Sequence, residues 1–222
     1  MPDSNASRPE PRPLRIGDMA PDFVARSTAG TLRLSDYRGR WLLFFSHPGD
    51  FTPVCTSEFV AIARAADRFA ALGCELLAHS VDSLFSHLGW IRAIHDDLGV
   101  AIPFPVVEDS SLEIAHAFGM VDPASNNAAS VRAAFFIDPD GVIRALTIYP
   151  LSVGRSVAEL LRTIAALQRT HDGAAMTPAD WMPGDDILLP PALLAREALA
   201  AKGTTGWFYQ LAKDRPTKAG AP

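Results

Sequence analysis

One cysteine stands in a segment crowded with residues that can activate a thiol. Residues 46–58 read SHPGDFTPVCTSE, so Cys55 follows two prolines, a threonine, a histidine and an acid. The thiolate form is the nucleophile, and the surroundings of a cysteine determine how readily it forms. A cysteine that only fills space would need none of these neighbours. The segment therefore predicts a site that holds one reactive thiolate.

The elements around Cys55 place it at the start of a helix. The apolar run 41–45 (WLLFF) before the segment is typical of a strand buried on both faces. Apolar residues at helical spacing follow between positions 59 and 70. Unpaired N–H groups and the helix dipole favour a negative charge at a helix N-terminus. We therefore expect an anionic sulfur, with the hydroxyl of Thr52 beside it.

The spacing Pro48-x-x-x-Thr52-x-x-Cys55, set in FFSHPGDFTPVCTSE, resembles the active-site signature of the peroxiredoxins, in particular their one-cysteine, peroxiredoxin-6-like group. The resemblance implies a thiol-dependent peroxidase that reduces hydrogen peroxide and alkyl hydroperoxides. Cys55 would attack the O–O bond and become a sulfenic acid. Thr52 would bond the thiolate and the peroxide, and Pro48 would shield the pocket. The same resemblance implies that Glu58 orients an arginine.

Arg132 is the charged residue of an otherwise apolar strand, 131–137 (VRAAFFI). A Pro-Asp-Gly turn at 139–141 joins this strand to 142–149 and predicts a hairpin. A guanidinium in such a strand must reach water or meet an anion. Considered by itself, this segment is compatible with an arginine that lies at the solvent-exposed end of the strand. The resemblance implies instead that Arg132 holds the thiolate and polarises the peroxide.

Three other residues complete the predicted site. The resemblance implies that Arg155 is a second arginine, linked with Glu58. His47 either lines the mouth of the pocket or fills it, and Val54 is included among the pocket residues. The implied reaction needs no metal and no bound organic cofactor.

Two histidines on a predicted helix, His87 and His95, could suggest a metal site. They are eight residues apart, and no carboxylate or cysteine stands near them at metal-binding spacing. We therefore expect no zinc or iron site and place both histidines at the surface.

The pattern along the chain predicts an α/β protein with the thioredoxin-like fold that the resemblance implies. Strand, helix and strand in the order 41–45, 59–73 and 74–81 form a right-handed βαβ unit with parallel strands. We expect a central mixed β-sheet flanked by helices. The other predicted elements are a hairpin at 23–34, a helix at 84–98, a strand at 103–107, a helix through 112–118, the hairpin 131–149 and a helix at 156–170.

The chain is expected to divide into three parts. Residues 1–13 are polar and proline-rich and predict a flexible tail. Residues 14–170 form the thioredoxin-like domain. Residues 171–222 form a proline-rich extension whose apolar residues we expect to pack on another surface: Trp181, Ile187, Leu193 and Trp207. The resemblance implies that this extension packs across a homodimer, and assembly of dimers into rings is left open.

Cys74, the second of two cysteines, begins a predicted strand at the far end of the helix that starts near Cys55. A helix of about 16 residues would separate the two by roughly 24 Å. A disulfide needs Cα atoms within about 7 Å. We therefore expect Cys74 to be a buried strand residue. An external thiol, such as thioredoxin, glutaredoxin or glutathione, would then recycle Cys55.

Composition excludes several other classes of protein. A net charge of −5 and a pI near 5.6, with no basic cluster, argue against nucleic-acid binding. No apolar stretch approaches the roughly 20 residues of a membrane span, and the N-terminal residues lack the apolar core of a signal peptide. We therefore expect a cytoplasmic protein that binds no membrane.

Two rival functions are compatible with the predicted fold. A thiol–disulfide oxidoreductase ordinarily needs a Cys-x-x-Cys pair, whereas position 52 is threonine. A holdase chaperone without peroxidase turnover, binding unfolded chains through an apolar surface, remains open.

Overall fold

The computed structural model describes residues 13–121 and 129–214, so the predicted tail 1–13 lies almost entirely outside the described residues. A seven-stranded mixed sheet with the order β2-β1-β5-β4-β3-β6-β7 forms the centre of the first unit, 1–154. Its strands are β1 Val24–Ser27, β2 Gly30–Arg33, β3 Trp41–Ser46, β4 Cys74–Ser80, β5 Val106–Glu108, β6 Arg132–Ile137 and β7 Ile143–Tyr149. The helices of this unit are α1 Pro53–Arg64, α2 Ala66–Ala71, α3 Leu84–Leu98 and α4 Glu113–Ala117, with a short 3-10 helix at Leu34–Tyr37. The predicted central mixed sheet flanked by helices is confirmed.

Strand β3 lies in the middle of the sheet and leads into the Cys55 segment. All six of its residues are buried, as the apolar run predicted. It pairs in parallel with β4 and antiparallel with β6. The hydroxyl of Ser46, its last residue, donates to the carbonyl of Val131 at 2.5 Å and accepts from the N–H of Ala133 at 3.1 Å. These bonds fix the end of β3 against the start of β6, where Arg132 lies.

The structure differs from the sequence prediction between Cys55 and Cys74. A single helix was expected, but α1 and α2 are separate and meet at Ala65, whose φ of −101° and ψ of 3° are not helical. The N–H of Ala65 donates to Ile62, and the N–H of Arg68 donates to Ala65, which are the i to i+3 bonds of a tightened turn. Cys74 is buried at the start of β4 and both cysteines are free thiols, as predicted.

Cys74 is expected to stay unreactive in the native protein. Burial raises the pKa of its thiol to about 12, so almost none of it is thiolate at pH 8. With the native protein at pH 8, iodoacetamide should leave Cys74 unmodified, and denaturant should make it react fully. Peptide mass spectrometry measures both states. Alkylation of native Cys74 at the rate of a free thiol would contradict the prediction.

Helix α3 has the predicted bounds. Ser83 caps it by accepting from the N–H of Ser86, and Gly99 ends it in the left-handed conformation. Two of its apolar residues at helical spacing, Leu88 and Leu98, are nevertheless 45% and 49% exposed. The side chains that lie in the core are His87, Trp90 and Ile94. The expectation that His87 lies at the surface is therefore wrong, whereas His95 is exposed.

Asp109 fixes the start of α4. Its carboxylate accepts hydrogen bonds from the N–H groups of Ile114 at 3.2 Å and Ala115 at 2.7 Å. The Nε2 of His79 donates to the same carboxylate at 3.0 Å. Asp109 therefore caps the helix, although Leu112 is the formal cap position.

The contribution of Asp109 to stability is expected to fall in acid. Burial alone would raise the pKa of Asp109, but its hydrogen bonds with His79, Ala115 and Ile114 outweigh burial and lower it. A carboxyl with a lowered folded pKa stabilises the fold above its unfolded pKa of about 3.9, and this stabilisation is lost as the pH falls through the folded value. Asp109→Asn should therefore cost about 1–3 kcal/mol of unfolding free energy at pH 6 and less at pH 3. Urea denaturation at both pH values measures the cost. An equal cost at both pH values would contradict the predicted link between stability and the ionisation of Asp109.

The second unit comprises 155–222 and includes the helix α5 Val157–Thr170. The hydroxyl of Ser156 caps α5 by accepting from the N–H of Glu159. The rest of the unit consists of β8 Ile187–Leu188, α6 Ala195–Ala200 and β9 Leu211–Ala212, of which β8 and β9 pair antiparallel. Trp181 and Ile187 are buried, whereas Leu193 is 87% exposed. No helix in the described residues is long and apolar enough to cross a membrane.

Candidate active site

Cys55 is the third residue of α1 and is fully buried. Thr52 occupies the cap position and Pro53 the first helical position, where its fixed φ suits the helix. The first N–H groups of any helix have no partner within the helix, so the sulfur lies in the positive end of the dipole. The predicted location of Cys55 is therefore confirmed.

Arg132 brings a positive charge to the sulfur. Its Nη1 lies 3.3 Å from the Sγ of Cys55 and donates to the Oε2 of Glu58 at 2.6 Å. All three side chains are buried. Glu58 is one turn further along α1 than Cys55, so both face the same neighbouring strand. The predicted orientation of an arginine by Glu58 corresponds to this short ion pair.

The remaining nitrogens of Arg132 fix the direction of the guanidinium. Nε and Nη2 both donate to the carbonyl of Leu151, at 3.0 and 2.8 Å. Arg132 is only 2% exposed, so the alternative of a solvent-exposed arginine at the strand end is wrong. A planar guanidinium held at three corners presents one edge to the thiol.

The other residues of the catalytic loop lie near Cys55 with their own partners. Among the described residues, the hydroxyl of Thr52 donates to the carbonyl of Gly49 at 2.9 Å, and no hydrogen bond joins it to the sulfur. Pro48 is half-buried just after β3, and Val54 is half-buried. A Cβ on Gly154 would lie 3.5 Å from Val54, so these two residues are close neighbours. The roles of Thr52, Pro48 and Val54 stay predictions.

Arg155 is the first residue of the second unit and is buried. Its predicted link with Glu58 stays a prediction.

His47 is fully buried and is the first residue after β3. Its ring packs against the rings of Phe59, with centroids 4.8 Å apart, and Trp90, at 5.1 Å. Its backbone N–H donates to the carbonyl of His79, and its carbonyl accepts from the hydroxyl of Ser130. Two positions were considered for His47, at the mouth of the pocket or as a residue that fills space. The structure shows the second, because the side chain fills the interior.

Two residues that the sequence analysis did not select, Asp50 and His87, join His47 in one buried network. The Nε2 of His47 and the Nδ1 of His87 each lie 2.8 Å from a different oxygen of Asp50. Burial alone would raise the pKa of Asp50, but the hydrogen bonds from both histidines outweigh it and hold that pKa well below its usual range. The sequence signal that could have identified His87 as buried is its position three residues before Trp90, on the helix face that a large aromatic residue would bury.

These three side chains also offer metal-ligand atoms that lie within 4.8 Å of one another. A buried pair of histidines with one carboxylate is a donor set that binds transition metals. Each ligand atom is nevertheless engaged at 2.8 Å, the heavy-atom distance of a direct hydrogen bond. The distances describe a hydrogen-bonded network, and the sequence argument that no carboxylate partners His87 is wrong.

The geometry supports nucleophilic chemistry at one sulfur. A guanidinium N–H at 3.3 Å and a helix N-terminus both stabilise a thiolate and any negative charge that forms beside it.

Comparison with known protein families agrees with this chemistry. Residues 16–146 match the AhpC/TSA family. The chain is 46% identical over 177 residues to peroxiredoxin 2 of Caldanaerobacter subterraneus, covering 80% of each chain. It is 41% identical over 204 residues to a peroxiredoxin of Thermoplasma volcanium, covering 90% of this chain and all of the relative.

Solved structures give the same result. A cysteine-to-serine mutant of peroxiredoxin 6 from Arenicola marina superposes with a TM-score of 0.82 at 33% identity and covers 92% of this chain and all of its own. A yeast mitochondrial 1-Cys peroxiredoxin superposes with a TM-score of 0.81 at 35% identity and covers 90% of this chain and all of its own. The chain therefore belongs to the peroxiredoxins, the thiol-dependent peroxidases of the AhpC/TSA family.

Proposed function

We propose that the protein is a one-cysteine peroxidase that reduces hydrogen peroxide and alkyl hydroperoxides through a sulfenic acid at Cys55. The observation that carries the proposal is the contact of Arg132 with Cys55 and Glu58 at the start of α1. It combines a nucleophile, a cation and a group that orients the cation, all in the interior.

The first step forms an S–O bond and breaks the O–O bond of the peroxide. The Cys55 thiolate attacks the terminal oxygen of R–O–O–H, which keeps its hydrogen and becomes the sulfenic acid. The electron pair of the O–O bond leaves with RO⁻, which takes a proton to give an alcohol, or water when R is hydrogen. Arg132 and the first N–H groups of α1 stabilise the charge that develops on the oxygens.

Thr52 and Pro48 shape the pocket in which this step occurs. Because the hydroxyl of Thr52 donates a hydrogen bond to the carbonyl of Gly49, the lone pairs of that hydroxyl are left to accept a hydrogen bond from the peroxide O–H. Pro48 limits the access of water, and Val54 is the remaining pocket neighbour in this proposal. No residue in this step needs a metal or a bound cofactor.

Recycling needs two equivalents of an external thiol. The first condenses with the sulfenic acid to a mixed disulfide and releases water, and the second reduces that disulfide to Cys55 and a free disulfide. Cys74 supports this reading because burial keeps it a thiol at the start of β4, and no other cysteine is present in the sequence. The related yeast structure concerns resolution via glutathione/thioredoxin systems, and either is a fitting reductant in the cytoplasm.

The experiment mixes reduced protein with one equivalent of hydrogen peroxide and follows it by intact mass with a sulfenic-acid trap. One sulfenic acid should form rapidly in the wild type and in Cys74→Ser, and none in Cys55→Ser. Turnover is then measured with thioredoxin and with glutaredoxin plus glutathione. Oxidation no faster than that of a free thiol would reject the proposal and favour the holdase.

A homodimer completes the proposal. In the second unit, Leu193 and Leu199 are each 87% exposed, and Trp207 and Phe208 are about half-exposed. Large apolar side chains clustered on one segment mark a protein interface. We assign this interface to a second copy of the chain, with 171–222 as the extension that reaches it. Sedimentation equilibrium of the full chain measures the mass: a monomer would contradict the dimer, and a larger particle would indicate rings.

A further inference from the structure

We propose that Asp82 is a positioning residue that fixes the direction of the Thr52 hydroxyl in the peroxide pocket. The proposal rests on the proposed reaction of Cys55, in which that hydroxyl accepts a hydrogen bond from the peroxide O–H. Asp82 acts on the reaction through one peptide unit of the catalytic loop, the unit between Gly49 and Asp50.

Asp82 lies beside the catalytic loop because β3 and β4 are parallel neighbours. The carboxyl ends of parallel strands lie at the same edge of a sheet, and the loop to Cys55 follows β3 just as Asp82 follows β4. The Oδ2 of Asp82 accepts from the N–H of Asp50 and from the hydroxyl of Ser80, both at 2.8 Å. The hydroxyl of Ser80 accepts in turn from the N–H of Asp82 at 3.0 Å. The end of β4 therefore holds the carboxyl group that binds the loop.

The N–H of Asp50 and the carbonyl of Gly49 belong to the same peptide unit. This unit is planar and trans, so its N–H and its C=O point in opposite directions. Asp82 binds the N–H, and the carbonyl accepts from the hydroxyl of Thr52 at 2.9 Å. By fixing one end of the plane, Asp82 fixes the other end, and the carbonyl then determines where Thr52 points its hydrogen.

Without Asp82, this peptide unit could rotate about the line between its two Cα atoms. Gly49 has no side chain that would resist the rotation. The carboxylate of Asp50 is bonded to two buried histidines, but these bonds hold its side chain and leave the plane of the preceding peptide free. A rotated unit turns its carbonyl away from Thr52, whose hydroxyl hydrogen then takes another acceptor.

The backbone of the loop shows that its neighbours hold it in place. Phe51 has a φ of 56°, in the left-handed region that bulky side chains rarely adopt. Such strain persists only where the surrounding structure imposes it. The side chain of Phe51 is 61% exposed, so burial of its ring does not account for the strain. The hydrogen bonds of Asp50 and Thr52, on either side of Phe51, supply the constraint.

The test compares two reactions of Cys55, oxidation by hydrogen peroxide and thiolation by methyl methanethiosulfonate. The second reagent has no O–H or N–H, so the hydroxyl of Thr52 has nothing to accept from it. Asp82→Ala should slow oxidation on the order of tenfold, the effect of losing one hydrogen bond, and should leave thiolation unchanged. Asp82→Asn keeps an oxygen that accepts both bonds and should oxidise within about threefold of the wild type.

Asp22→Ala is the matched control. Asp22 also accepts from a backbone N–H and a serine hydroxyl, both of Ser35 in the 3-10 helix Leu34–Tyr37. Its removal should change neither rate. Peptide mass spectrometry measures oxidation and thiolation at Cys55 in every variant.

A double-mutant cycle with Thr52→Val identifies the route of the effect. Where the hydroxyl is absent, Asp82→Ala should slow oxidation by less than about twofold. Equal slowing with and without the hydroxyl, or equal slowing of oxidation and thiolation, would overturn the proposal in favour of a purely structural role. If Asp82→Ala does not fold, Ser80→Ala takes its place in the cycle, because it frees the Asp82 carboxyl from β4. It should slow oxidation only where Thr52 is present, and an unchanged rate would count against the proposal.

Amide hydrogen exchange measured by NMR tests the contact separately from the reaction. The N–H of Asp50 should exchange slowly in the wild type and faster in Asp82→Ala. Exchange of this N–H in the wild type at the rate of an exposed loop would overturn the proposal. If wild-type Cys55 reacts with peroxide no faster than a free thiol, the proposed function fails, while the exchange rates still show whether Asp82 fixes this peptide.

Discussion

Replacing Arg132 with alanine is expected to slow sulfenic acid formation at Cys55 by about 10²–10³-fold, the usual cost of losing one donor that stabilises a developing negative charge. The physical reason is the position of Nη1, 3.3 Å from the sulfur, in a buried site where charges are screened less than at the surface. Rapid-quench mixing with hydrogen peroxide and mass spectrometry of the trapped sulfenic acid give the rate.

The alanine variant also removes Arg132 from its buried ion pair with Glu58, and breaking such a pair costs about 3–5 kcal/mol of stability. Arg132→Lys separates the two effects, because it keeps a positive charge but cannot reach Cys55, Glu58 and Leu151 together. We expect the lysine variant to fold and to react at an intermediate rate. Arg40→Ala, at an exposed pair with Glu75, is the control and should not change the rate. If Arg132→Lys and Arg132→Ala both react as fast as the wild type, Arg132 does not stabilise the transition state.

The core strands and the position of Cys55 were predictable from local sequence. Local sequence predicts a buried strand in the apolar run 41–45 and a hairpin around the Pro-Asp-Gly turn within 131–149. The tertiary contacts agree with both predictions. The contact of Arg132 with Cys55 crosses 77 residues of sequence, and only the resemblance to a family placed the two together.

The phase of α3 was not predictable from apolar residues alone. The helical spacing of Leu88 and Leu98 favours a buried face that contains them, whereas the structure exposes both and buries Trp90 and with it His87. The hydrogen bond with Asp50 offsets the penalty that made a buried histidine look improbable. That partner comes from a loop 37 residues earlier, so no spacing within the helix reveals it. The break at Ala65 likewise has no glycine or proline to mark it.

Replacing Phe59 with alanine is expected to lower the free energy of unfolding by about 3–5 kcal/mol. Phe59 is fully buried on α1, and four rings surround it, with centroid distances of 4.4 Å to Trp90, 4.8 Å to His47, 5.4 Å to Phe104 and 5.9 Å to Phe45. These rings come from separate segments of the chain, so we expect them to fill only part of the space left by the phenyl group. Urea denaturation followed by circular dichroism measures the loss.

Phe85→Ala is the matched control, since it makes the same substitution on a side chain that is 79% exposed, and it should change stability by no more than about 0.5 kcal/mol. Phe59→Leu should fall between the two, because leucine leaves a smaller cavity. The cavity of Phe59→Ala also borders His47, so this variant should oxidise Cys55 more slowly even where it is fully folded. A loss of stability below about 1 kcal/mol would mean that these aromatic rings do not form a tightly packed cluster. A normal oxidation rate in the folded variant would mean that the packing around Phe59 does not matter to the thiol.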